Sequence, residues 1–116
     1  MKVRKARKKD CAKITEQLWV PFMDYCSKLD DFSRICGKAR SIFYRHLCDS
    51  FTDNQNAVFI AEEGKNLAGF IKISKVKRPP VYEIKEMGEI SDLFVLPQYR
   101  EKGAGSKLLK TAEDWF

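Results

Sequence analysis

The sequence predicts a layered α/β domain with elements in the order β-α-α-β-β-β-α. Three observations carry this expectation. Apolar residues recur at helical spacing after Asp10 and again after Gly103, whereas the segment between Ala57 and Leu96 alternates as strands do. A turn sequence, Glu63-Gly64-Lys65-Asn66, joins two of those strands. The length, 116 residues, suits one domain spanning residues 1–116. The composition, 44% hydrophobic and 12% aromatic, supplies a core and excludes a disordered chain.

Each element has its own signal. Lys2 to Arg7 forms a short strand, with Val3 the one bulky apolar side chain it places inward. Asp10 N-caps a helix in which Ile14, Leu18, Phe22, Cys26 and Leu29 share a face, and Pro21 kinks or splits that helix. A second helix runs from about Ala39 to Phe51, with Phe43, Leu47 and Phe51 on one side. The polar segment Asp30 to Lys38 between the helices is a loop. Ala57 to Glu62 is a strand. Across the turn, Leu67 to Lys75 alternates: Leu67, Gly69, Ile71 and Ile73 face one way, Ala68, Phe70 and Lys72 the other. Lys77 to Lys85, carrying Pro79 and Pro80, is a loop. Glu86 to Leu96 is the last strand, stopped by Pro97. Gly103 to Phe116 is an amphipathic helix with Leu108, Leu109, Ala112, Trp115 and Phe116 in one stripe, the first three being core positions.

Charge and cysteine usage exclude several function classes. The formal net charge of +6 comes from 22 basic and 16 acidic residues. Lys2, Arg4, Lys5, Arg7, Lys8 and Lys9 all precede the first acidic residue, Asp10, and account for the whole excess. So short a basic segment reads as a solvated strand edge, and no nucleic-acid partner is expected. No run approaches the roughly 18 apolar residues of a membrane span. No apolar segment follows the basic N-terminus as a secretory signal requires, so the expected compartment is the cytoplasm. Cys11, Cys26, Cys36 and Cys48 contain no C-x-x-C pair, and the only histidine, His46, stands at no zinc-ligand spacing from them. Reduced thiols and no metal are expected, and nothing near Cys36 would activate it as a nucleophile.

The most informative segment is Gln98 to Ser106, between a strand and a helix. Gly103 and Gly105 let the backbone approach a ligand, and successive N–H groups at a helix start meet the positive end of its dipole. That is chemistry suited to a pyrophosphate. No G-K-[ST] follows, so it is not a P-loop, and the third glycine of a dinucleotide fingerprint is missing.

The surrounding run, Ile90 to Leu109, resembles the acyl-CoA-binding motif of the GNAT superfamily of N-acetyltransferases. Arg100, Gly103 and Gly105 match its signature, and Leu93-Phe94-Val95-Leu96-Pro97 matches the strand that precedes it. The order of elements agrees over essentially the whole chain. The resemblance implies the family's fold, a mixed, mostly antiparallel sheet with helices on both faces. It also implies acetyl-CoA as co-substrate and transfer of acetyl to a primary amine by direct attack in a ternary complex. In the family's binding mode, backbone groups of Leu93, Phe94 and Val95 pair with the pantetheine arm. The loop Arg100, Glu101, Lys102, Gly103, Ala104, Gly105 and Ser106 holds the pyrophosphate.

An alkylammonium with a pKa near 10.4 must lose its proton before it can attack. The family often uses a fourth-strand carboxylate as the base, and Glu89 stands where some members carry it. Asp92 is the second candidate, as a group that binds a cationic substrate. By strict alternation the two point to opposite faces. Trp19, Phe22, Tyr25 and the loop Asp30 to Lys38 fall where the family places its acceptor, although such an aromatic cluster reads first as core. The last helix has no glycine C-cap and stays apolar to its final residue. The family continues with a fifth strand and often a tyrosine acid. Tyr25, Tyr44, Tyr82 and Tyr99 do not occupy that position, so no general acid is assigned. The domain is therefore expected to be incomplete after 103–116, with an open edge that pairs with a second copy. The alternative reading is a non-catalytic CoA-binding or regulatory module of the same fold.

Overall fold

The computed structural model describes residues 1–31 and 34–116. Strands β1 (Lys2–Lys5), β2 (Asn56–Glu63), β3 (Asn66–Lys77) and β4 (Glu86–Val95) form one sheet in that order. Every neighbouring pair is antiparallel. The connections after β2 and β3 are too short for the crossover that parallel pairing needs. Helices α1 (Cys11–Ile14), α2 (Val20–Leu29) and α3 (Ala39–Ser50) cover one face, and α4 (Ala104–Trp115) covers the other. The expected element order is the observed one.

The core has two halves, one on each side of the sheet. Ile14, Leu18, Trp19, Phe43 and Leu47 pack on Val58, Ile60, Leu67, Phe70 and Phe94. On the opposite face Ala104, Leu108 and Ala112 pack on Phe59, Ala61, Ala68, Ile71 and Ile73. The basic N-terminal segment is a paired strand. Arg4 spends its charge on Asp10, at 2.9 Å, and on Glu62 across the sheet.

Two β-bulges overturn the simple alternation. Ala61 pairs with Gly69 but Glu62 pairs with Leu67, so Ala68 is an extra residue in β3. Leu67 therefore joins Phe70 on the α1–α3 face, and Ala68 joins Ile71 on the α4 face. Both had been expected on the other side. In β4, Asp92 opposes Lys72 while Ile90 opposes Ile73, which makes Ser91 the extra residue. A bulge reverses the facing of everything beyond it, and period-two reasoning cannot see it.

The first helical region also departs from expectation. It does not break at Pro21. Instead α1 passes through a π turn (Thr15–Trp19), where the Val20 N–H donates to the Thr15 carbonyl, and Pro21 sits in the first turn of α2. Proline lacks an N–H, and the wider turn immediately before it absorbs the lost α-helical bond without ending the helix. Leu29, the last residue of α2, is 66% exposed rather than core. Asp10 holds the N-cap position of α1 as expected, but its side chain makes no capping bond: the carboxylate accepts the Arg7 N–H at 2.8 Å and pairs with Arg4. In α4, Leu108 and Ala112 are buried, but Leu109 is 38% exposed and is not the core position its apolar character suggested. The expected loop Asp30 to Lys38 includes residues 32 and 33, which lie outside the described residues. No helix of the described residues is long and apolar enough to cross a membrane.

Candidate functional site

At the sheet's open edge, β4 runs into a short 3₁₀ turn (Pro97–Tyr99) and a tight loop, and then α4 begins. Gly103 precedes the helix at φ 83°, a left-handed conformation that glycine adopts without strain. Glu101 is also left-handed, at φ 68°. The two reversals turn the chain so that α4 starts with its first N–H groups directed outward. No side chain caps that N-terminus, and the first N–H groups of any helix have no partner within it. Val95, Tyr99, Arg100, Glu101, Gly103, Ala104, Gly105 and Ser106 surround a cleft of about 270 Å³ at this point. The structure thus brings together most of the loop residues singled out in the sequence.

Three neighbouring groups lie differently. The Leu96 N–H donates to the Ala68 carbonyl at 2.8 Å, which fixes the alternation along this part of β4. Leu93 and Val95 then direct their main-chain groups to the open edge, and Phe94 directs its own to β3. The Phe94 side chain is buried, stacked on Phe22 at 4.9 Å between centroids. Lys102 reaches over the Tyr99 ring rather than into the cleft. Arg100 donates from Nε to the Val95 carbonyl at 3.0 Å and lies 5.3 Å from the Tyr25 ring centroid. Sequence reading missed Tyr25 in this role: contact between α2 and the loop has no local signal. Trp19, by contrast, is core, stacked on Phe43.

The Ser91 bulge decides how the two candidate carboxylates lie. Glu89 opposes Ser74 and Asp92 opposes Lys72. Ser74 and Lys72 are two apart on β3 and share a face, and directly opposed antiparallel residues point the same way. Glu89 and Asp92 therefore both face the α3 side, where alternation had put them on opposite faces. Glu89 is exposed and Asp92 half-buried. Burial raises the Asp92 carboxyl above the ordinary aspartate value, and Lys72 and His46 partly counter it. On that side, between α3 and the sheet, lies a polar cavity of about 490 Å³. His46, Asp49, Asp53, Lys72, Ser74 and Ser91 are among the residues that line it.

The site thus joins the open edge of an antiparallel sheet to a helix start that no side chain caps. A profile of the acetyltransferase (GNAT) family matches residues 9–116, and the chain belongs to that family. An uncharacterised N-acetyltransferase of Archaeoglobus fulgidus is 34% identical over 62 residues, covering 53% of this chain and 42% of that protein. An uncharacterised N-acetyltransferase of Bacillus subtilis, YhfO, is 34% identical over 67 residues, or 54% of this chain and 41% of that protein. The chain thus spans about two-fifths of the length of these curated relatives. Among solved structures, a predicted acetyltransferase from Clostridium acetobutylicum, crystallised with acetyl-CoA, superposes with a TM-score of 0.76 at 20% identity. That match covers 97% of this chain and 71% of the other. An acetyltransferase from Vibrio fischeri gives a TM-score of 0.75 at 17% identity, over 98% of this chain and 84% of its own.

Proposed function

We propose that this protein binds acetyl-CoA and transfers its acetyl group to a primary amine by direct attack in a ternary complex. The observation that carries the reading is the uncapped start of α4, with left-handed Glu101 and Gly103, set beside the open edge of β4. The pantetheine arm runs along that edge as an added strand and meets the outward main-chain groups of Leu93 and Val95. Phe94 supports the strand from the core. The N–H groups of Ala104, Gly105 and Ser106 hold the pyrophosphate, and the helix dipole adds to their pull. Arg100, fixed to Val95 and resting on Tyr25, holds the loop in shape. Lys102 and Glu101 shape its outer rim.

The amine approaches from the α3 face, where both carboxylates lie. Asp92 pairs with the incoming ammonium, and Glu89 accepts its proton directly or through water. The neutral amine then attacks the thioester carbonyl; the carbon–sulfur bond breaks as the amide forms, and the second nitrogen proton passes through water to the departing sulfur, so that CoA leaves as the thiol. The acetyl-CoA bound by the Clostridium acetobutylicum structure supports the donor assignment by likeness of fold.

Calorimetric titration of acetyl-CoA, with inorganic phosphate as control, tests the reading. Stoichiometric binding is expected, weakened about tenfold or more by Gly105→Ile, whose side chain would fill the cleft (tenfold is 1.4 kcal/mol). Absence of binding refutes it. Binding without CoA release over a panel of amines would make the protein a non-catalytic CoA module.

A further inference from the structure

Three cavities follow one another past the C-terminal end of α3. The first is the polar cavity between α3 and the sheet, and it shares Ser50, Thr52, Asp53 and Asn56 with a second of about 210 Å³. The second shares Lys5, Phe51 and Thr52 with a third of about 670 Å³, whose other walls are Ala6, Arg7 and Lys8. Strand register sets them in one row. Ser91, the extra residue of β4, precedes Asp92, which opposes Lys72. Lys72 in turn opposes Val58, and the Val58 carbonyl accepts the Ala6 N–H at 2.7 Å. The row therefore crosses the whole sheet, from its open edge at β4 to the chain just after β1.

Charge changes sign along this row. Asp49 and Asp53 outnumber Lys72 in the first cavity, which favours a cation there. Lys5, Arg7 and Lys8 line the third, and no acidic residue is among its walls. Those three are exposed and, unlike Arg4, form no ion pair with a described residue. Part of the basic excess of the N-terminal segment is thus gathered on one wall.

We propose that the acceptor is the N-terminus of a polypeptide, extended along this row with its ammonium at the β4 end and acidic side chains against Lys5, Arg7 and Lys8. This rests on the acetyl-transfer reading above and names the acceptor class of that same site. The donor is placed along the outer edge of β4, so a chain whose amine reaches that strand leaves inward, across the sheet. A terminal amine fits, since its chain continues on one side only. Neighbouring strands lie about 4.8 Å apart, so the three steps from β4 to β1 cover about 14 Å. An extended chain advances about 3.3 Å per residue and spans that distance in about four residues. Acidic residues at its fifth and sixth positions then meet the basic wall. A free amino acid or an alkylamine leaves that wall unused.

The test uses synthetic heptapeptides of glycine and serine with a free N-terminus. One carries glutamate at its fifth and sixth positions, one carries glutamine there, and one carries glutamate at its second and third positions instead. Peptide binding is followed by calorimetry without donor, acetyl-CoA binding separately, and transfer by CoA release. The first peptide should bind about tenfold more tightly than the other two, a difference of 1.4 kcal/mol. That preference should shrink as salt rises, because exposed charges are screened. Arg7→Gln combined with Lys8→Gln should lower the first peptide to the level of the second. Arg7→Glu combined with Lys8→Glu should make a peptide with lysine at the fifth and sixth positions the tightest. Both side chains are exposed, so urea unfolding should stay in place in each variant.

Equal binding of the three peptides to the unaltered protein, or binding of none, overturns the inference without recourse to any variant. Preference for glutamate at the second and third positions overturns the span, and a preference that survives both variants overturns the basic contact. Oligothymidylate binding more tightly than the first peptide would assign the basic wall to a phosphate backbone and overturn the peptide reading. The expected peptide preference without acetyl-CoA binding would sink the transfer reading and leave the groove standing. Acetyl-CoA binding with transfer to simple amines and no peptide preference would do the reverse.

Discussion

Asp10 connects the N-terminal strand to the first helix, and its replacement by asparagine probes how much that connection stabilises the fold. Its carboxylate accepts from Arg4 Nη1 and Nη2 at 2.9 Å each and from the Arg7 N–H at 2.8 Å. The Arg4 side chain is the first cause that holds its pKa down to about 2 from an ordinary 3.8, outweighing the opposing effect of burial. At 1.36 kcal/mol per pH unit, that depression is worth roughly 2 kcal/mol of stability at neutral pH. The folded pKa is depressed, so this contribution is complete above the unfolded value and is lost as pH falls through the window from 3.8 towards 2. By pH 3 the same linkage removes about 1 kcal/mol of it. Asp10→Asn keeps an oxygen for the Arg7 N–H but turns an amide NH₂ against the guanidinium. Urea unfolding of both proteins from pH 7 to 3, followed by far-UV circular dichroism, isolates the effect, because every other carboxylate is common to the two. The gap between them should be roughly 2 kcal/mol at pH 7 and narrow by about half at pH 3. A gap that is small at pH 7, or constant across the range, refutes the assignment of the shift to this pair.

Two further substitutions address the site. A Cβ at Gly69 would stand 2.6 Å from the Phe94 carbonyl oxygen, a backbone atom that cannot move without the strand. Gly69→Ala should cost about 2 kcal/mol and weaken acetyl-CoA binding by shifting the edge that carries Leu93 and Val95. Unchanged urea stability would show that the two strands do not approach so closely. Asp92 has the opposite linkage from Asp10. Its pKa is raised by burial, so the ionised carboxylate destabilises the native state at neutral pH, and this cost disappears as pH falls through the raised value. Asp92→Asn should therefore raise the melting temperature at pH 7 while lowering kcat/KM for acetyl transfer. A fall in both would mark Asp92 as a structural carboxylate.

Much of this was legible from local pattern. The period of the apolar residues changes from helical to alternating between Phe51 and Ala57, and changes back at Gly103. Those shifts are enough to lay out the elements, since each must bury one face. The loop Arg100 to Ser106 was readable at Gly103, where the left-handed backbone favours glycine, whereas the matching reversal at Glu101 carries no such mark. The facing of side chains within strands was not. The extra residues Ala68 and Ser91 reverse the parity of their strands, and a bulge carries no residue signature at either place. That reversal moves Leu67 into the core beneath the helices and puts Glu89 and Asp92 on one face instead of two.

The same limit applies to groups whose partners are distant in the chain. Arg100 rests on Tyr25, and Lys72 lines a cavity shared with His46 and Asp49 of α3, contacts that depend on how helices pack over the sheet. Element order, the glycine loop and the family resemblance follow from short-range chemistry, in which each residue's neighbours are its neighbours in sequence. Which carboxylates share a face, and which strand residues come to line the cavity beside α3, depends on strand register and helix packing. Those are settled by the collective fit of the whole core and leave no mark at any single position.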